Sequence, residues 1–288
     1  MQIISNIAEL KETVKQYKQQ GKSLGLVPTM GFLHEGHLSL IEKARKQNDL
    51  VVISIFVNPL QFGPNEDFDR YPRDFERDEA LAKQAGVDIV FYPSVEEMYP
   101  TPMAMNIIVT EGVNVLCGKS RPGHFDGVAT VVMKLFQIVL PDRAYFGMKD
   151  AQQVAVIEKM IRDFNLSIEL VRCPTLREED GLAKSSRNVY LSEAERAEAP
   201  AIYRSLQQGL ALIVKGERSR QAVIDEVRRH LEANIHAEID YIEVLSYPQL
   251  VSAEQISGEV MIAAAVKYEK ARLIDNMIVN LDSDTNVG

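Results

Sequence analysis

Two histidines three residues apart, His34 and His37, lie in the glycine-bounded stretch PTMGFLHEGH at 28–37. Gly31 and Gly36 let a ligand approach the backbone closely. The stretch follows an apolar run and opens a helical pattern. A helix N-terminus offers N–H groups without intrahelical partners and the positive end of a dipole, so it is a ready phosphate site. If one helical turn includes both histidines, they share a face. Two imidazoles there could donate hydrogen bonds to a phosphate and to charge developing on it. A metal pair is the rival reading, and incidental surface histidines are the plain one. Zinc wants a third or fourth ligand. The only other loop histidine in the first half is His124, and no thiol lies near the motif. HEGH also lacks the spacing of HExxH.

Other candidates are weaker alone. In LAKSSRN at 182–188, Lys184 offers a point charge, Ser185 and Ser186 small donors, and Arg187 a two-pronged fork for phosphate oxygens. Such a run could equally be a solvated turn. The amides of Asn58 and Gln61, just after the strongest apolar run, both donate and accept. Turn-forming amides would look the same. Arg121, in GKSRPGHFDG at 118–127, is either added positive charge or a surface arginine. The acidic run Glu66, Asp67 and Asp69 reads as a solvated loop.

These residues need a scaffold. Apolar runs at 24–27, 50–57, 88–92, 143–146 and 167–171 read as strands, and 107–110 as a further one. Helical patterns fall at 37–47, 74–86, 127–139 and 151–164. The first twenty residues read as an amphipathic helix capped by Ser5. This order predicts an α/β fold: a parallel sheet with helices on both faces, whose ligands sit in the loops after the strands. After residue 175 the pattern changes. Helices at 192–215, opened by a Ser192/Glu195 capping box, and at 219–234 precede strands at 241–245, 260–266 and 272–278. That predicts a smaller C-terminal α+β domain over 176–288, behind a first domain at 1–175. The final 283–288 read as a frayed tail.

Composition limits the partners. The 288 residues carry 32 Lys plus Arg against 41 Asp plus Glu, a net charge of −9. This argues against a nucleic-acid partner but permits a local cationic site. The start lacks a signal-peptide pattern, and no apolar run approaches the ~20 residues that span a bilayer. Cys117 and Cys173 form no CxxC motif and read as free thiols. A soluble, cytoplasmic protein with no membrane partner is the expectation.

An HxGH-type helix opening early and KSSR late, across a Rossmann-like sheet, resembles the nucleotidyltransferase superfamily that contains the class I aminoacyl-tRNA synthetases. The resemblance narrows with five ordered blocks: PTMGFLHEGHLSLI at 28–41, FVNPLQFGPNEDFDRYPR at 56–73, GKSRPGHFDGVATVV at 118–132, AYFGMKDAQQ at 144–153 and CPTLREEDGLAKSSRNVYLS at 173–192. Together they resemble the pantoate–β-alanine ligase (pantothenate synthetase) family. The C-terminal third contributes no motif.

The resemblance implies ATP-dependent condensation of pantoate with β-alanine through a pantoyl adenylate, with release of pyrophosphate and AMP. It implies ATP as substrate, Mg²⁺, and a homodimer. It makes His34, His37 and Lys149 catalytic, with His37 as proton donor. It places ATP against Met30, Gly31, Phe32, Leu33, His34, Glu35, Gly36, His37, Gly147, Met148, Lys149, Asp150, Leu176, Lys184, Ser185, Ser186 and Arg187. It places pantoate against Asn58, Gln61 and Gln153, β-alanine also at Gln61, and Mg²⁺ at Asp150. Two other functions fit the same motifs. One is nucleotidyl transfer to a phosphorylated small-molecule acceptor; the other is a non-catalytic nucleotide-binding module. Asn58, Gln61 and Gln153, suited to a small hydroxy acid, favour the ligase.

Overall fold

The computed structural model describes residues 1–282 apart from 65 and 67. Asp67 of the acidic run and the 283–288 tail therefore lie outside the described residues. In chain order the elements are β1 (Gln2–Ile4), α1 (Ile7–Gln19), β2 (Leu24–Thr29), α2 (Glu35–Gln47), β3 (Leu50–Ile55), α3 (Phe75–Gln84), β4 (Ile89–Phe91), α4 (Val95–Met98), α5 (Leu116–Ser120), α6 (His124–Val139), β5 (Arg143–Gly147), α7 (Ala151–Asp163) and β6 (Glu169–Cys173). Then follow α8 (Glu193–Glu198), α9 (Ala201–Val214), α10 (Arg220–Glu232), β7 (Glu238–Ser246), β8 (Glu259–Lys267) and β9 (Arg272–Asn280). Three 3₁₀ turns, Pro59–Gln61, Met148–Asp150 and Ser186–Tyr190, carry candidate residues.

The chain divides into two compact units. The first comprises 1–111, 120–148 and 156–174. The second comprises 112–119, 149–155 and 175–288.

In the first unit the six strands form one parallel sheet in the order β1-β4-β3-β2-β5-β6. Every residue of β3 is buried, as a nearly all-apolar strand covered on both faces requires. Residues of period two serve one face: Val51, Ile53 and Ile55 share a core with Val27 and with Leu40, Ile41 and Ala44 of α2. On the other face α6 packs on β2 and on α1. The chain steps outward from β2 through β3 and β4 in one direction and through β5 and β6 in the other. The strand order thus reverses between β2 and β5, and ligands of such sheets gather outside the carboxyl ends at that switch point.

The second unit holds a three-stranded antiparallel sheet, β7-β8-β9. Val223 and Val227 of α10, Leu206 and Leu210 of α9 and Val260, Ile262, Ala264 and Val266 of β8 form its core.

Three local expectations differ from the structure. The first helix starts at Ile7 with Asn6, not Ser5, as its cap, because residues 2–4 pair with β4, burying Ile4. The 107–110 stretch is not a strand: Ile107 and Val109 give their N–H groups to Thr130 Oγ1 and Asp126 Oδ1 of α6 rather than to a ladder. The 192–215 helix is two helices, separated at Pro200, whose ring lacks the N–H a continuous helix would use. The Ser192/Glu195 capping box is present.

One glycine couples this frame to the candidate site. A Cβ on Gly127 of α6 would lie 2.1 Å from Leu60 O and 2.7 Å from Gln61 N. Backbone cannot yield as a side-chain tip can. Gly127→Ala is therefore expected to lower the stability measured by urea unfolding by about 1–3 kcal/mol and to displace the Pro59–Gln61 turn.

Candidate active site

The loop leaving β2 makes a sharp turn. Gly31 and Phe32 both adopt left-handed backbone, with φ of +85° and +51°, a region that costs a side-chain-bearing residue. A buried carboxylate holds the turn. Asp78 of α3, 1% exposed, accepts the Phe32 N–H at 2.7 Å and the Leu33 N–H at 2.6 Å. Burial pushes the Asp78 carboxyl above its ordinary range; its hydrogen bonds from Leu33 and Phe32 and the nearby Arg77 pull it back only in part. Arg77 also stands 5.0 Å over the Phe32 ring. Leu33 is fully buried in the core, so only its backbone could face a nucleotide.

Beyond the turn, α2 begins at Glu35. His34 is its N-cap and His37 its third residue, rather than two residues on one helical turn. The rings still lie together, centroids 4.1 Å apart. Their tautomers follow from the backbone. Gly36 N–H donates to His34 Nδ1 at 3.1 Å, and His34 N–H donates to His37 Nδ1 at 3.3 Å. A ring nitrogen that accepts carries no proton, so each neutral ring carries its proton on Nε2. Two imidazole donors are thus preset at the opening of a helix.

Asn58 and Gln61 bracket the turn after β3. Asn58 is 1% and Gln61 9% exposed. The Asn58 amide donates to Gln61 Oε1 at 3.2 Å and Gly127 O at 3.1 Å. Its Oδ1 accepts from Tyr99 Oη at 2.8 Å and Leu60 N at 3.3 Å. These four bonds commit its amide to orienting Gln61, whose own Nε2 donates to Met30 Sδ at 3.1 Å.

The Gln61 carbonyl is held as well. His124 Nδ1 donates to it at 2.8 Å and Arg121 Nη2 at 3.3 Å. Arg121 Nη1 lies 3.0 Å from His124 Nε2, and its other atoms form a two-pronged ion pair with Glu66. Arg121 and Glu66, open in sequence, thus compensate each other. Burial raises the Glu66 carboxyl, but the hydrogen bonds and charge of Arg121 outweigh it and hold it below its ordinary value.

In the second unit, residues 176–184 form a tight hairpin. Lys184 N–H donates to Leu176 O at 2.9 Å and Glu178 N–H to Leu182 O at 2.8 Å. Leu176 is 37% exposed at the hairpin's start. Ser185 caps the Ser186–Tyr190 turn by accepting the Arg187 N–H. Lys149 and Ser185 line one small cavity with Asn188, so the structure brings Lys149 of GMKD and Ser185 of KSSR together within this unit. No carboxylate pairs with the Lys149 ammonium among the described residues. Gln152 is buried and spends its amide on the Gly112 and Val115 carbonyls, whereas Gln153 beside it is half-buried.

The model of the family described as pantoate-beta-alanine ligase matches residues 2–278. The chain belongs to the pantoate–β-alanine ligase family. It is 61% identical over 281 residues to a pantothenate synthetase of Geobacillus kaustophilus, covering 98% of this chain and 94% of that one. It is 57% identical to the pantothenate synthetase of Bacillus subtilis, covering 98% of each. A crystal structure of pantothenate synthetase from Thermus thermophilus superposes with a TM-score of 0.91 at 46% identity, covering 96% of this chain and 99% of that one. A pantoate-beta-alanine ligase from Francisella tularensis, crystallised with beta-gamma ATP and beta-alanine, superposes with a TM-score of 0.78 at 35% identity, covering 96% and 97%.

Sequence reading missed Asp78 and Tyr99 as supports of this family's motifs. Each acts on a residue more than forty positions away, so no local signal marks it. Asp78→Asn, which leaves one oxygen for two N–H groups, is expected to cut steady-state AMP release about 100-fold, as loss of sub-ångström positioning does, with pantoate KM little changed. Glu66 gives a pH test. A lowered folded pKa means stability present above the unfolded value, ~4.3, and lost as pH falls through the folded value. In urea melts at pH 6, Glu66→Gln is expected to be less stable than the parent, and the gap should close on acidification below pH 4.

Proposed function

We propose that this chain joins pantoate to β-alanine with ATP through a pantoyl adenylate. One observation carries the reading: the Gln61 amide, in the position expected to bind pantoate, hydrogen-bonds the sulfur of Met30 in the loop expected to bind ATP. A carboxylate held at Gln61 would therefore lie beside the nucleotide loop.

In the first step a pantoate carboxylate oxygen would attack the α-phosphorus of ATP. The bond from that phosphorus to the bridging oxygen breaks and pyrophosphate leaves. His34 and His37, with protons on Nε2, would donate to the phosphate oxygens as charge shifts toward the leaving group, His37 supplying the proton. Lys149, Lys184 and Arg187 would offset the phosphate charge, with Ser185 and Ser186 as further donors. Met30, Gly31, Phe32, Leu33, Glu35, Gly36, Gly147, Met148 and Leu176 would wrap the nucleotide. In the second step the β-alanine amine, held near Gln61, would attack the acyl carbon. The C–N bond forms, the acyl–phosphate bond breaks, AMP leaves and the ammonium proton is lost to solvent. Gln153 would bind pantoate, with Asn58 acting through Gln61.

Among the described residues no three His, Cys, Asp or Glu side chains form a metal-holding group. The donor set fits a Mg²⁺ that arrives on nucleotide phosphates, since Mg²⁺ takes one or two carboxylates plus substrate oxygens. Asp150, which is exposed, would be its protein carboxylate. When bound, the ion neutralises phosphate charge.

No helix among the described residues is long and apolar enough to cross a membrane. A cytoplasmic location is also proposed, supported by the two free, buried thiols, as is the homodimer the family resemblance implies.

The test measures AMP and pyrophosphate with pantoate alone, β-alanine alone and both. Steady AMP release only with both is expected. Turnover indifferent to either substrate, or a stable adenylylated product formed without an amine, would overturn the reading. Folded His37→Ala is expected to lose 100-fold or more in AMP release, the usual cost of one donor at developing charge.

A further inference from the structure

The C-terminal third contributes no motif to the sequence reading, yet one of its strands grips two segments expected to hold ATP. On β9, Asp275 is 4% and Asn276 8% exposed. Asp275 pairs with Arg177 through two bonds, Oδ2 to Nη1 at 2.6 Å and Oδ1 to Nη2 at 3.0 Å. Arg177 lies at the base of the 176–184 hairpin. It donates to Gly181 O at the hairpin's tip at 3.1 Å and lies 3.6 Å over the Tyr203 ring of α9. One guanidinium therefore ties both ends of the hairpin to β9. The hairpin runs directly into Lys184, Ser185, Ser186 and Arg187, and β9 touches the Ser186–Tyr190 turn.

Asn276 holds the other segment. Its Nδ2 donates to the Lys149 carbonyl at 3.0 Å. Neighbours on a strand normally project to opposite faces. Here they are locked to each other: the Asn276 N–H donates to Asp275 Oδ1 at 2.8 Å. Asp275 also lines the small cavity that Lys149 and Ser185 share. A surface loop would have left each segment free to fluctuate. A buried strand gives them a common reference.

We infer that Asp275 and Asn276 are positioning residues for adenylation: adjacent on one strand, they set the spacing between Lys149 and the 184–187 segment. Their side chains engage Arg177 and the Lys149 carbonyl. The device serves the step in which a triphosphate must be held and pyrophosphate released. It makes no demand on pantoate binding, which the first unit's Gln61 would provide. The inference rests on the ligase reading given above.

The experiment uses the full-length chain and separates the half-reactions. Single-turnover pyrophosphate release from ATP and pantoate reads adenylation. AMP release from preformed pantoyl adenylate plus β-alanine reads amide formation. Asp275→Asn keeps the shape but removes the charge that Arg177 needs. Asn276→Ala removes one donor, and Asn276→Ser restores a shorter one. We expect Asp275→Asn and Asn276→Ala to slow adenylation 10- to 100-fold, with amide formation within threefold of the parent, pantoate KM within twofold, and partial rescue in Asn276→Ser. Equal losses in both half-reactions would reduce the pair to a structural role and overturn the inference. So would adenylation within threefold of the parent in folded Asn276→Ala. That variant decides the matter alone if Asp275→Asn does not fold. Absence of pyrophosphate release in the parent chain would instead count against the ligase reading, so the two failures are distinct.

Discussion

A backbone N–H group removed from water must find an acceptor, and the turn after β2 is built on that constraint. The chain leaves a largely buried strand and enters a helix within five residues. It manages this only by placing Gly31 and Phe32 in left-handed backbone. That geometry aims the amides of Phe32 and Leu33 inward, where no strand or helix can receive them. Asp78 receives both, although burial disfavours its charge. An unmet pair of amides would cost about 1–3 kcal/mol each, so a desolvated carboxylate is the better solution. The placement of His34 and His37 follows. The cap residue accepts from Gly36, the third helical residue accepts from the cap, and both imidazoles are left with protons on Nε2.

The same logic governs the Gln61 amide. Gln61 is useful only in one orientation, and an amide is pseudo-symmetric. Asn58 removes that ambiguity by donating to Oε1, which leaves Nε2 for the Met30 sulfur. Tyr99 and Gly127 then fix Asn58. The absence of a Cβ at Gly127 lets α6 approach this turn. Arg121 and His124 grip the carbonyl of the same residue, and Glu66 takes up the arginine's charge.

The acidic composition takes on a different meaning at this level. With a net charge of −9, the chain pairs several of its arginines internally: Arg121 with Glu66, Arg177 with Asp275, Arg172 with Glu158, and Arg196 with Glu178 and Asp180. Lys149 has no such carboxylate among the described residues. A protein that must hold an anionic nucleotide needs few free cations if they are placed well. The paired arginines supply rigidity, and Lys149 is the cation proposed to supply field.

By itself the amino-acid sequence determined the parallel α/β sheet, because alternating buried-strand and helical patterns admit few other arrangements. It determined the family as well, because PTMGFLHEGH, FVNPLQFG, GMKDAQQ and KSSRN carry local chemistry in a fixed order. Pairing partners were less legible. Residues 2–4 have no strand signal until the edge of β4 is offered to them. Pro200 divides a pattern that periodicity alone reads as one helix. Only the tertiary structure decided which polar groups support the site. Asp78 reaches back some forty-five positions, Arg121 about sixty, and Asp275 and Asn276 about one hundred or more. A hydrogen bond senses distance in space and is indifferent to separation along the chain. The groups proposed to touch substrate are clustered in motifs and can be read in sequence. The groups that hold them still lie wherever the fold brings an acceptor or a donor.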